Sequence, residues 1–432
     1  MNKMLSQSEC AVRARARRQR RGTDTEAAAA NFSRGLQSAI QLPLLEALED
    51  NGGRGRPRDV YDQIAETLSI DQSALDATRH CGDGQSYKVF QQQVRWARQT
   101  AVAQGLIASG ERGVWELTDK AYGRLGRIRR GVAILVYSTD DGIALWAHAE
   151  DAAGCIEKGS VNLVLTSPPY PVVKRSYGRF TVPEWLEWMR RLTGMWKDLI
   201  TEDGTIALNL MDVFISGTPA LSPYVERFTL AAIDDLGLHL AGRMMWHSPS
   251  KLGNIQWTAK EKHQPKNSLE HLLLFSKTPR PAWDLSRMDR GSYDGRVRNK
   301  SGKARRPSGY DINEDAFAPS EEGPLPGNLI IAGGAPGTDR YSRRCREEGI
   351  DAHPARYPTA VPRQIIQLTT APGDLCYDPM AGSNTTGQVA SELGRRFISS
   401  DPMLAYVHGS SFRFDQRSDF RSHLDVSTLS AA

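Results

Sequence analysis

The chain has 432 residues, of which 40% are hydrophobic and 24% are charged, so it has enough apolar side chains to fill a folded core. It carries a net charge of +5, and at roughly 150 residues per domain its length predicts about three structural units. We expect no membrane span because no run of about 18 apolar residues occurs. Five scattered cysteines and nine histidines without metal-ligand spacing predict a reduced, cytoplasmic protein with no metal site.

Positive charge is concentrated in two short segments. Residues 1–22 contain seven basic residues and one acidic residue, and residues 280–306 contain nine basic and three acidic residues. Because the whole chain carries +5, the remaining residues together carry −7. This distribution predicts that only the two basic segments meet a polyanion.

Residues 1–33 are expected to form a basic, mobile arm, because arginines alternate there with small residues and are followed by an alanine run. Two interpretations stay open: a solvated tail, or an arm that rests on a nucleic-acid backbone. An arginine-rich organelle transit peptide is a third alternative, whereas a secretory signal is not expected, since no apolar stretch follows the basic residues.

Residues 34–127 are predicted to form a small separate domain. Apolar residues at helical spacing predict three helices near residues 40–48, 60–68 and 90–101, and the third carries Arg95 and Arg98. Residues 105–118 predict a two-stranded wing that turns at residues 110–113. Three helices and a hairpin resemble a winged helix of the sort found at the N-terminus of some restriction endonucleases, a fold that often places a helix in the major groove of DNA. A protein-interaction or purely structural role is the alternative.

Residues 134–278 alternate apolar strand patterns with helical ones, which predicts a parallel α/β sheet. One helix over residues 183–199 has a face of large apolar side chains that we expect to pack in the core rather than bind a ligand: Trp185, Trp188, Met189, Leu192 and Trp196. Residues 279–324, rich in Arg, Gly, Ser and Pro, break the pattern and predict a surface excursion that is either disordered or bound to nucleic acid. The sheet pattern resumes near residue 329, within a last segment of residues 325–432.

The first segment that indicates chemistry is a buried strand, residues 161–165, that runs into Ser167-Pro168-Pro169-Tyr170. The two prolines fix φ, and residue 167 is held extended by the proline after it. A stiff loop at the carboxyl edge of a parallel sheet is where such folds bind ligands. A hydroxyl, free carbonyl oxygens and an aromatic ring suit a flat heterocycle with an exocyclic amine.

The second segment, residues 374–387, is a strand that opens into a small-residue turn and then a helix. Gly382 and Gly387 have the spacing of a P-loop, but Gln388-Val389 stands where Lys-Ser/Thr is needed, so phosphate binding is not expected. Asp401 ends the next predicted strand, where a carboxylate can accept hydrogen bonds from ribose hydroxyls. The segment therefore predicts a nucleoside ligand, with a purely structural βαβ turn as the alternative.

Together the two segments resemble the catalytic and S-adenosylmethionine motifs of amino-type DNA methyltransferases. The Ser form of the Pro-Pro-Tyr motif is typical of N4-cytosine enzymes, and Asp or Asn is typical of N6-adenine enzymes. The catalytic motif precedes the cofactor motif, an order that marks the β class, a circular permutation of the Rossmann-like methyltransferase fold. The resemblance covers about residues 140–415. The segment 353–358, ahead of the cofactor motif, looks like the family's second cofactor-binding segment, and the segments 248–252 and 306–312 look like those of restriction-modification enzymes of this group.

The resemblance implies roles for named residues. The catalytic set is Ser167, Pro168, Pro169 and Tyr170. The cofactor would contact His353, Pro354, Arg356, Asp378, Met380, Ala381, Gly382, Ser383, Asn384, Thr385, Thr386, Gly387 and Asp401. DNA would contact Lys251, Arg296, Arg298, Arg305 and Arg306, together with Arg95 and Arg98 of the first domain. Partners would be double-stranded DNA and a cognate restriction endonuclease, with the protein a monomer or a homodimer.

The implied reaction transfers a methyl group from S-adenosylmethionine to the N4 amine of a flipped-out cytosine. Methylation at cytosine C5 is not expected, because that chemistry typically uses a cysteine after a proline, and none of the five cysteines follows one. N6-adenine methylation and a DNA-binding regulator with a degenerate methyltransferase body stay open as alternatives. One departure concerns the acid that the family usually places near the cofactor adenine: His148 stands at that position, and Glu150 or Asp151 is the expected substitute.

Overall fold

The computed structural model describes residues 39–80, 86–108, 110–111, 113–173, 180–290 and 326–424. They fall into two compact units, one ending at Arg129 and the other beginning at Arg130. The predicted basic arm and most of the predicted excursion, including Arg296, Arg298, Arg305 and Arg306, lie outside these residues. No helix in the described ranges is long and apolar enough to cross a membrane.

The first unit is a helical cluster with small strands. Its elements in chain order are α1 (residues 39–50), β1 (Arg54–Gly55), α2 (Pro57–Thr67), α3 (Gln72–Asp76), β2 (Thr78–His80), β3 (Ser86–Lys88), α4 (Val89–Ala103), β4 (Trp115–Glu116) and α5 (Asp119–Leu125). The three predicted helices correspond to α1, α2 and α4, and their apolar faces form one core that includes Ile40, Leu44, Val60, Ile64 and Val94. Helix α2 begins with Pro57, and the Asp59 carboxylate accepts the backbone N–H of Arg56 at 3.0 Å.

The predicted wing differs in one respect from the structure. Leu117 bridges Ile107 as expected of a hairpin, but β4 pairs with β1, which the sequence did not indicate as a strand. A second hairpin, formed by β2 and β3, was also missed. Strands of two or three residues with mostly polar side chains lack the alternation on which strand prediction depends. The winged-helix assignment stays a prediction.

The second unit is built on a ten-stranded mixed sheet. Its strands are β5 (Ala133–Thr139), β6 (Gly142–Ala147), β7 (Val161–Thr166), β8 (Ile200–Leu210), β9 (His239–His247), β10 (Leu269–Ser276), β11 (Leu329–Ile331), β12 (Leu375–Asp378), β13 (Arg396–Asp401) and β14 (Arg421–Ser422). They lie in the order β11-β9-β10-β8-β7-β12-β13-β6-β5-β14. The helices are α6 (Ala149–Ala153), α7 (Val182–Leu199), α8 (Tyr224–Asp234), α9 (Arg340–Glu347), α10 (Ala360–Thr369), α11 (Thr385–Glu392) and α12 (Leu404–Ser411).

Five neighbouring strands at the centre, β8, β7, β12, β13 and β6, run parallel. Their carboxyl ends therefore share one edge of the sheet. The expectation of a parallel sheet is correct for this centre and wrong for its flanks, since β10 pairs antiparallel with both β8 and β9, and β5 pairs antiparallel with β6. An apolar strand pattern predicts burial but not strand direction, so the sequence could not distinguish parallel from antiparallel pairing.

The apolar face of α7 packs in the core, as predicted. Trp185, Met189, Leu192 and Trp196 are fully buried against the sheet, and the half-buried Trp188 donates its indole N–H to Glu150 at 3.1 Å. The first residues of the predicted excursion are also folded. The indole N–H of Trp283 donates to the Thr205 hydroxyl at 2.9 Å, so the surface excursion begins later than residue 279.

We predict that Gly142→Ala destabilises the second unit by roughly 1–3 kcal/mol, because overpacking displaces buried groups. A Cβ at residue 142 would lie 2.2 Å from the Phe397 ring, which stacks on Phe414 and has no room to move. Gly194→Ala is the matched control: its Cβ would make an ordinary 3.6 Å contact with Leu236, and alanine favours the interior of α7. Urea unfolding followed by circular dichroism measures both changes, and equal midpoints would contradict this account.

Candidate active site

The Ser-Pro-Pro-Tyr segment follows β7 directly and turns back on itself. The Tyr170 hydroxyl lies 3.2 Å from Ser167 Oγ, and the indole N–H of Trp185 donates to the Pro169 carbonyl at 2.6 Å. Because Trp185 is buried in the core, this bond fixes the loop to α7. The segment is therefore rigid, as the two prolines predict.

Behind this loop lies a buried carboxylate that the sequence did not single out. Glu270, on β10, accepts the Tyr170 hydroxyl at 3.0 Å and the Asn209 side-chain amide at 2.8 Å through Oε2. Its other oxygen, Oε1, accepts the Lys251 ammonium at 2.8 Å. Glu270 is only 6% exposed, so this ion pair provides the charge compensation that a buried carboxylate requires. We call Ser167, Tyr170, Asn209, Lys251 and Glu270 the catalytic network.

The protonation and hydrogen bonding of this network follow from its burial. Burial, and secondarily the negative charge of Glu270, raise the pKa of the Tyr170 hydroxyl well above its ordinary value of 10.0. Tyr170 therefore remains a hydrogen-bond donor at neutral pH. Asn209 donates toward Glu270, whereas its Oδ1 is buried without a hydrogen-bond partner among the described residues. Few buried side-chain acceptors in folded proteins lack a partner, so this one distinguishes the network from an ordinary core contact.

Lys251 has a protein partner that the sequence did not predict. The sequence predicts that Lys251 contacts DNA, but the structure shows its ammonium bound to Glu270 beside Tyr170. The missed residues had a weak sequence signal: Glu270 is a carboxylate inside an apolar strand, and Asn209 is an amide inside another. Buried polar side chains in central strands indicate a site only when their partners are known.

The second predicted segment lies at the same sheet edge, one strand away. β12 pairs in parallel with β7 through Cys376 and Leu163, and it ends at Asp378. The turn that follows is connected to the next strand, since Gly382 donates its backbone N–H to Asp401 at 3.0 Å. Adjacent strands lie about 4.8 Å apart. The structure therefore brings the two motifs together, although about 210 residues separate them in the chain.

Asp378 is a buried carboxylate within this turn. Burial raises its pKa to about 6, although hydrogen bonds from Thr386, the Met380 backbone and Tyr357 partly oppose the shift. The Thr386 hydroxyl donates at 2.5 Å and the Met380 N–H at 3.2 Å. Asp378 thus connects the end of β12 to the first turn of α11.

The small residues after Asp378 bond chiefly to one another. Asn384 has a positive φ of 52°, and its Oδ1 accepts the Gly387 N–H at 3.0 Å, which caps α11. Gly387 has no room for a side chain, since a Cβ would lie 2.3 Å from that oxygen. The side chains of Ser383 and Thr385 are buried and lie 3.1 Å apart. These residues shape the turn, so their expected cofactor contacts stay predictions, as do those of Pro354, Met380 and Ala381.

The segment of His353 and Arg356 packs against the same turn. A Cβ on Gly382, whose φ is +49°, would lie 2.8 Å from the His353 ring. Glycine is therefore required where these two segments meet. Arg356 donates to Asp339 and to the Ser342 hydroxyl, each at 2.8 Å, and lies over the Tyr341 ring. Both ends of its guanidinium are occupied by protein groups, which is the arrangement of a residue that orients the segment.

The two candidate acids after β6 are likewise engaged. Glu150 accepts the Trp188 indole at 3.1 Å and Arg191 at 3.4 Å, and Asp151 accepts the Gly131 backbone N–H at 2.9 Å. His148 is the residue that precedes α6. Which of these residues meets the cofactor adenine stays a prediction.

The first-unit arginines lie on α4. Arg95 is exposed and donates to the Tyr61 hydroxyl at 3.1 Å. Arg98 is half-buried, and its Nε has no hydrogen-bond partner in the part of the chain that the structure describes. Contact of either residue with DNA stays a prediction.

We predict a pH-dependent difference between the wild-type chain and Asp378→Asn. A raised folded pKa makes the native state hold its proton more tightly than the unfolded chain, so this stabilisation is complete below about pH 4 and is lost as pH rises through about 6. Asparagine lacks the ionisation. Between pH 4.5 and 7.5 the free energy of unfolding, obtained from urea titrations, should shift in favour of the variant by about 2 kcal/mol. A constant difference, or the same trend in Asp234→Asn on the exposed end of α8, would contradict this assignment.

Known proteins resemble this chain in sequence. Residues 161–411 match the family described as DNA methylase (N6_N4_Mtase), and residues 38–125 match the Mrr N-terminal domain. Type II methyltransferase M.PvuII of Proteus hauseri is 32% identical over 287 residues, which is 64% of this chain and 85% of the relative. Type II methyltransferase M.XycI of Xanthomonas campestris pv. cyanopsidis is 25% identical over 285 residues, 58% of this chain and 80% of the relative.

A solved structure agrees with the sequence comparisons. The cytosine-N4-specific PvuII DNA methyltransferase superposes with a TM-score of 0.54 at 27% identity, and the match covers 68% of this chain and 92% of that protein. The resemblance drawn from the two motifs is confirmed, and so is the Rossmann-like methyltransferase sheet. The family match extends over more than half of the chain and includes both motifs and the catalytic network. The chain therefore belongs to the DNA methylase family of N6- and N4-amino methyltransferases.

Proposed function

We propose that the protein transfers a methyl group from S-adenosylmethionine to the exocyclic N4 amine of a flipped-out cytosine at a specific site in double-stranded DNA. The observation that carries the proposal is the position of Ser-Pro-Pro-Tyr at the end of β7, one strand from the Asp-Pro-Met-Ala-Gly turn at the end of β12. The Ser form of the motif and the likeness to a cytosine-N4-specific enzyme favour N4. Its type II relatives favour a role in restriction-modification with a cognate endonuclease.

The residues at the carboxyl ends of β12 and β13 fit the cofactor chemically. Gly382 gives a backbone turn without a side chain, and Asp401 is a buried carboxylate at a strand end, the position that suits ribose hydroxyls. Asp378 and the segment of His353 enclose the same turn. When bound there, S-adenosylmethionine supplies an electrophilic methyl group on a sulfonium. No phosphate-binding lysine is needed, and none follows Gly387.

The catalytic loop would bind and orient the amine. We assign Ser167 Oγ and the Pro168 carbonyl as acceptors of its two hydrogens, an arrangement that would orient the nitrogen lone pair toward the methyl group of the bound cofactor. Tyr170 would stack on the base and recover part of the cost of flipping, since base–aromatic stacking is worth about 1–3 kcal/mol. Positioning and electrostatic stabilisation of the developing positive charge supply the catalysis.

The network gives the released proton a route. The new N–C bond replaces the methyl–sulfur bond, whose electron pair stays with sulfur. The amine nitrogen then becomes acidic and releases one hydrogen as a proton. Ser167 Oγ lies 3.2 Å from the Tyr170 hydroxyl, which donates to Glu270 at 3.0 Å. Ser167 can therefore take this proton while its own proton passes to the Tyr170 hydroxyl and the Tyr170 proton passes to Glu270, the final acceptor. Lys251 holds the carboxylate in place and compensates its charge before the reaction.

The first unit is proposed to add DNA contacts outside the methyltransferase body. It matches the Mrr N-terminal domain, and its helix α4 carries the exposed Arg95. The predicted recognition arginines of the excursion, Arg296 and Arg298 among them, belong to the same proposal. We propose a monomer or a homodimer as the active species, with DNA as its principal partner.

We predict that the purified chain, with S-adenosylmethionine and unmethylated plasmid DNA, produces N4-methylcytosine, and that Ser167→Ala lowers its rate at least about 100-fold. Mass spectrometry of nucleosides from the digested DNA measures both. Ser160→Ala, at the opposite end of β7, is the matched control and should retain activity. N6-methyladenine as the product would contradict the assigned base, and the absence of any methylated nucleoside would contradict the proposed function.

We predict that Glu270→Gln lowers kcat by about 10- to 100-fold, because the amide keeps the shape of the carboxylate but cannot take the proton. Cofactor affinity, measured by calorimetry, should be unchanged. Glu202→Gln is the control, since Glu202 is exposed and also pairs with a lysine, Lys277, at 3.1 Å. An unchanged kcat in Glu270→Gln would remove the carboxylate from the mechanism.

A further inference from the structure

The β9–β10 loop, residues 248–268, carries two aliphatic side chains that almost nothing covers. Leu252 is 90% exposed and Ile255 is 71% exposed, the two highest values among the exposed large hydrophobic residues of the described chain. Two large aliphatic side chains exposed three residues apart on one loop are unfavourable in water, and covering them would be favourable. Neither residue has a role in the proposed reaction described so far.

Hydrogen bonds within the loop restrain its backbone. Asn254 Oδ1 accepts the Trp257 N–H at 3.0 Å and so caps a π-helical turn, Ile255–Lys260. At Gly253 a Cβ would lie 2.9 Å from the Thr258 methyl, so the backbone passes close to that side chain. Lys266 closes the base of the loop by donating to the Pro249 carbonyl at 2.7 Å. The exposed Leu252 is therefore carried by a loop whose backbone is restrained by hydrogen bonds.

The loop is attached directly to the catalytic network. Leu252 follows Lys251, whose ammonium binds Glu270 at 2.8 Å, and Glu270 accepts the Tyr170 hydroxyl. Leu252 is therefore adjacent in the chain to a member of the network. A base that enters the site leaves a gap in its duplex, and this loop is an exposed apolar segment attached to the site.

The charge of the loop indicates what it meets. Between residues 249 and 268 the only acid is Glu261, whereas the lysines are Lys251, Lys260, Lys262 and Lys266. The last three are exposed. The exposed ammonium groups of Lys260, Lys262 and Lys266 follow the apolar residues in the loop and suit the phosphate backbone of a nucleic acid.

We propose that Leu252 is a wedge that enters the base stack of the duplex at the position vacated by the target base, with Ile255 against the adjacent base and the loop lysines on the flanking phosphates. Apolar side chains of this kind separate base steps in other protein–DNA complexes. Filling the gap disfavours return of the extruded base and so extends its time in the site. The inference rests on the proposed methylation of a flipped base and assigns the element that keeps it flipped.

The test compares Leu252→Ala with Leu252→Met and with the matched control Leu230→Ala, an exposed leucine on α8. The DNA is a duplex that contains a site methylated by the wild-type protein, with 2-aminopurine beside the target base as a fluorescent reporter of unstacking. We expect Leu252→Ala to lose at least half of the wild-type fluorescence rise at saturating protein and to methylate the duplex at least 10-fold more slowly. Leu252→Met and Leu230→Ala should behave like the wild type.

Equal fluorescence rises in wild type and Leu252→Ala, or no rise with the wild type, would overturn the wedge. A loss shared by Leu230→Ala would also overturn it. These results are distinct from failure of the proposed function, which would appear as absence of any methylated nucleoside with the wild-type chain. Methylated DNA without a Leu252-dependent rise leaves the enzyme assignment intact and removes only the wedge.

Discussion

The site depends on one pairing, that of β7 with β12. The two strands come from distant parts of the chain, yet their parallel register through Leu163 and Cys376 places the Ser-Pro-Pro-Tyr loop and the turn after Asp378 at one sheet edge. Both strands are almost completely buried, so apolar packing on each face secures the register. A shift by one residue would turn each strand's side chains to the opposite face and would separate Ser167 from Asp378.

The buried charges around this pairing are compensated in different ways. Glu270 is paired with Lys251 and accepts two further hydrogen bonds, so a charge beneath the catalytic loop is tolerated. Asp378 has hydrogen bonds but no cationic partner among those that shift its pKa, and burial raises that pKa. The Lys251 ammonium compensates the charge of Glu270, whereas the hydrogen bonds to Asp378 tighten the turn that follows β12.

The contiguous parts of the site could be predicted from the sequence, and the dispersed parts could not. In both motifs, Ser167 to Tyr170 and Asp378 to Gly387, the local sequence itself determines the structure. Each motif lies at the end of a strand and contains residues with restricted or unusual backbone conformations. Asn209, Lys251 and Glu270 belong to a strand, a loop and another strand, and only the antiparallel pairing of β10 with β8 brings them together. The contacts of Arg356 could not be predicted either, because its partners belong to another element. Ser342 lies on α9, and Asp339 is the residue that caps that helix.

The permuted strand order has a consequence for the way the protein is made. Strand β7 is synthesised about 210 residues before β12, and ribosomes add roughly 5–20 residues per second. For roughly 10–40 seconds the nascent chain therefore contains an apolar β7 with one edge lacking its final neighbour. An open apolar edge of this kind can pair with other chains. The site at the sheet centre is thus complete only after β12 has been synthesised. Until then the open edge of β7 is exposed to aggregation and to chaperones.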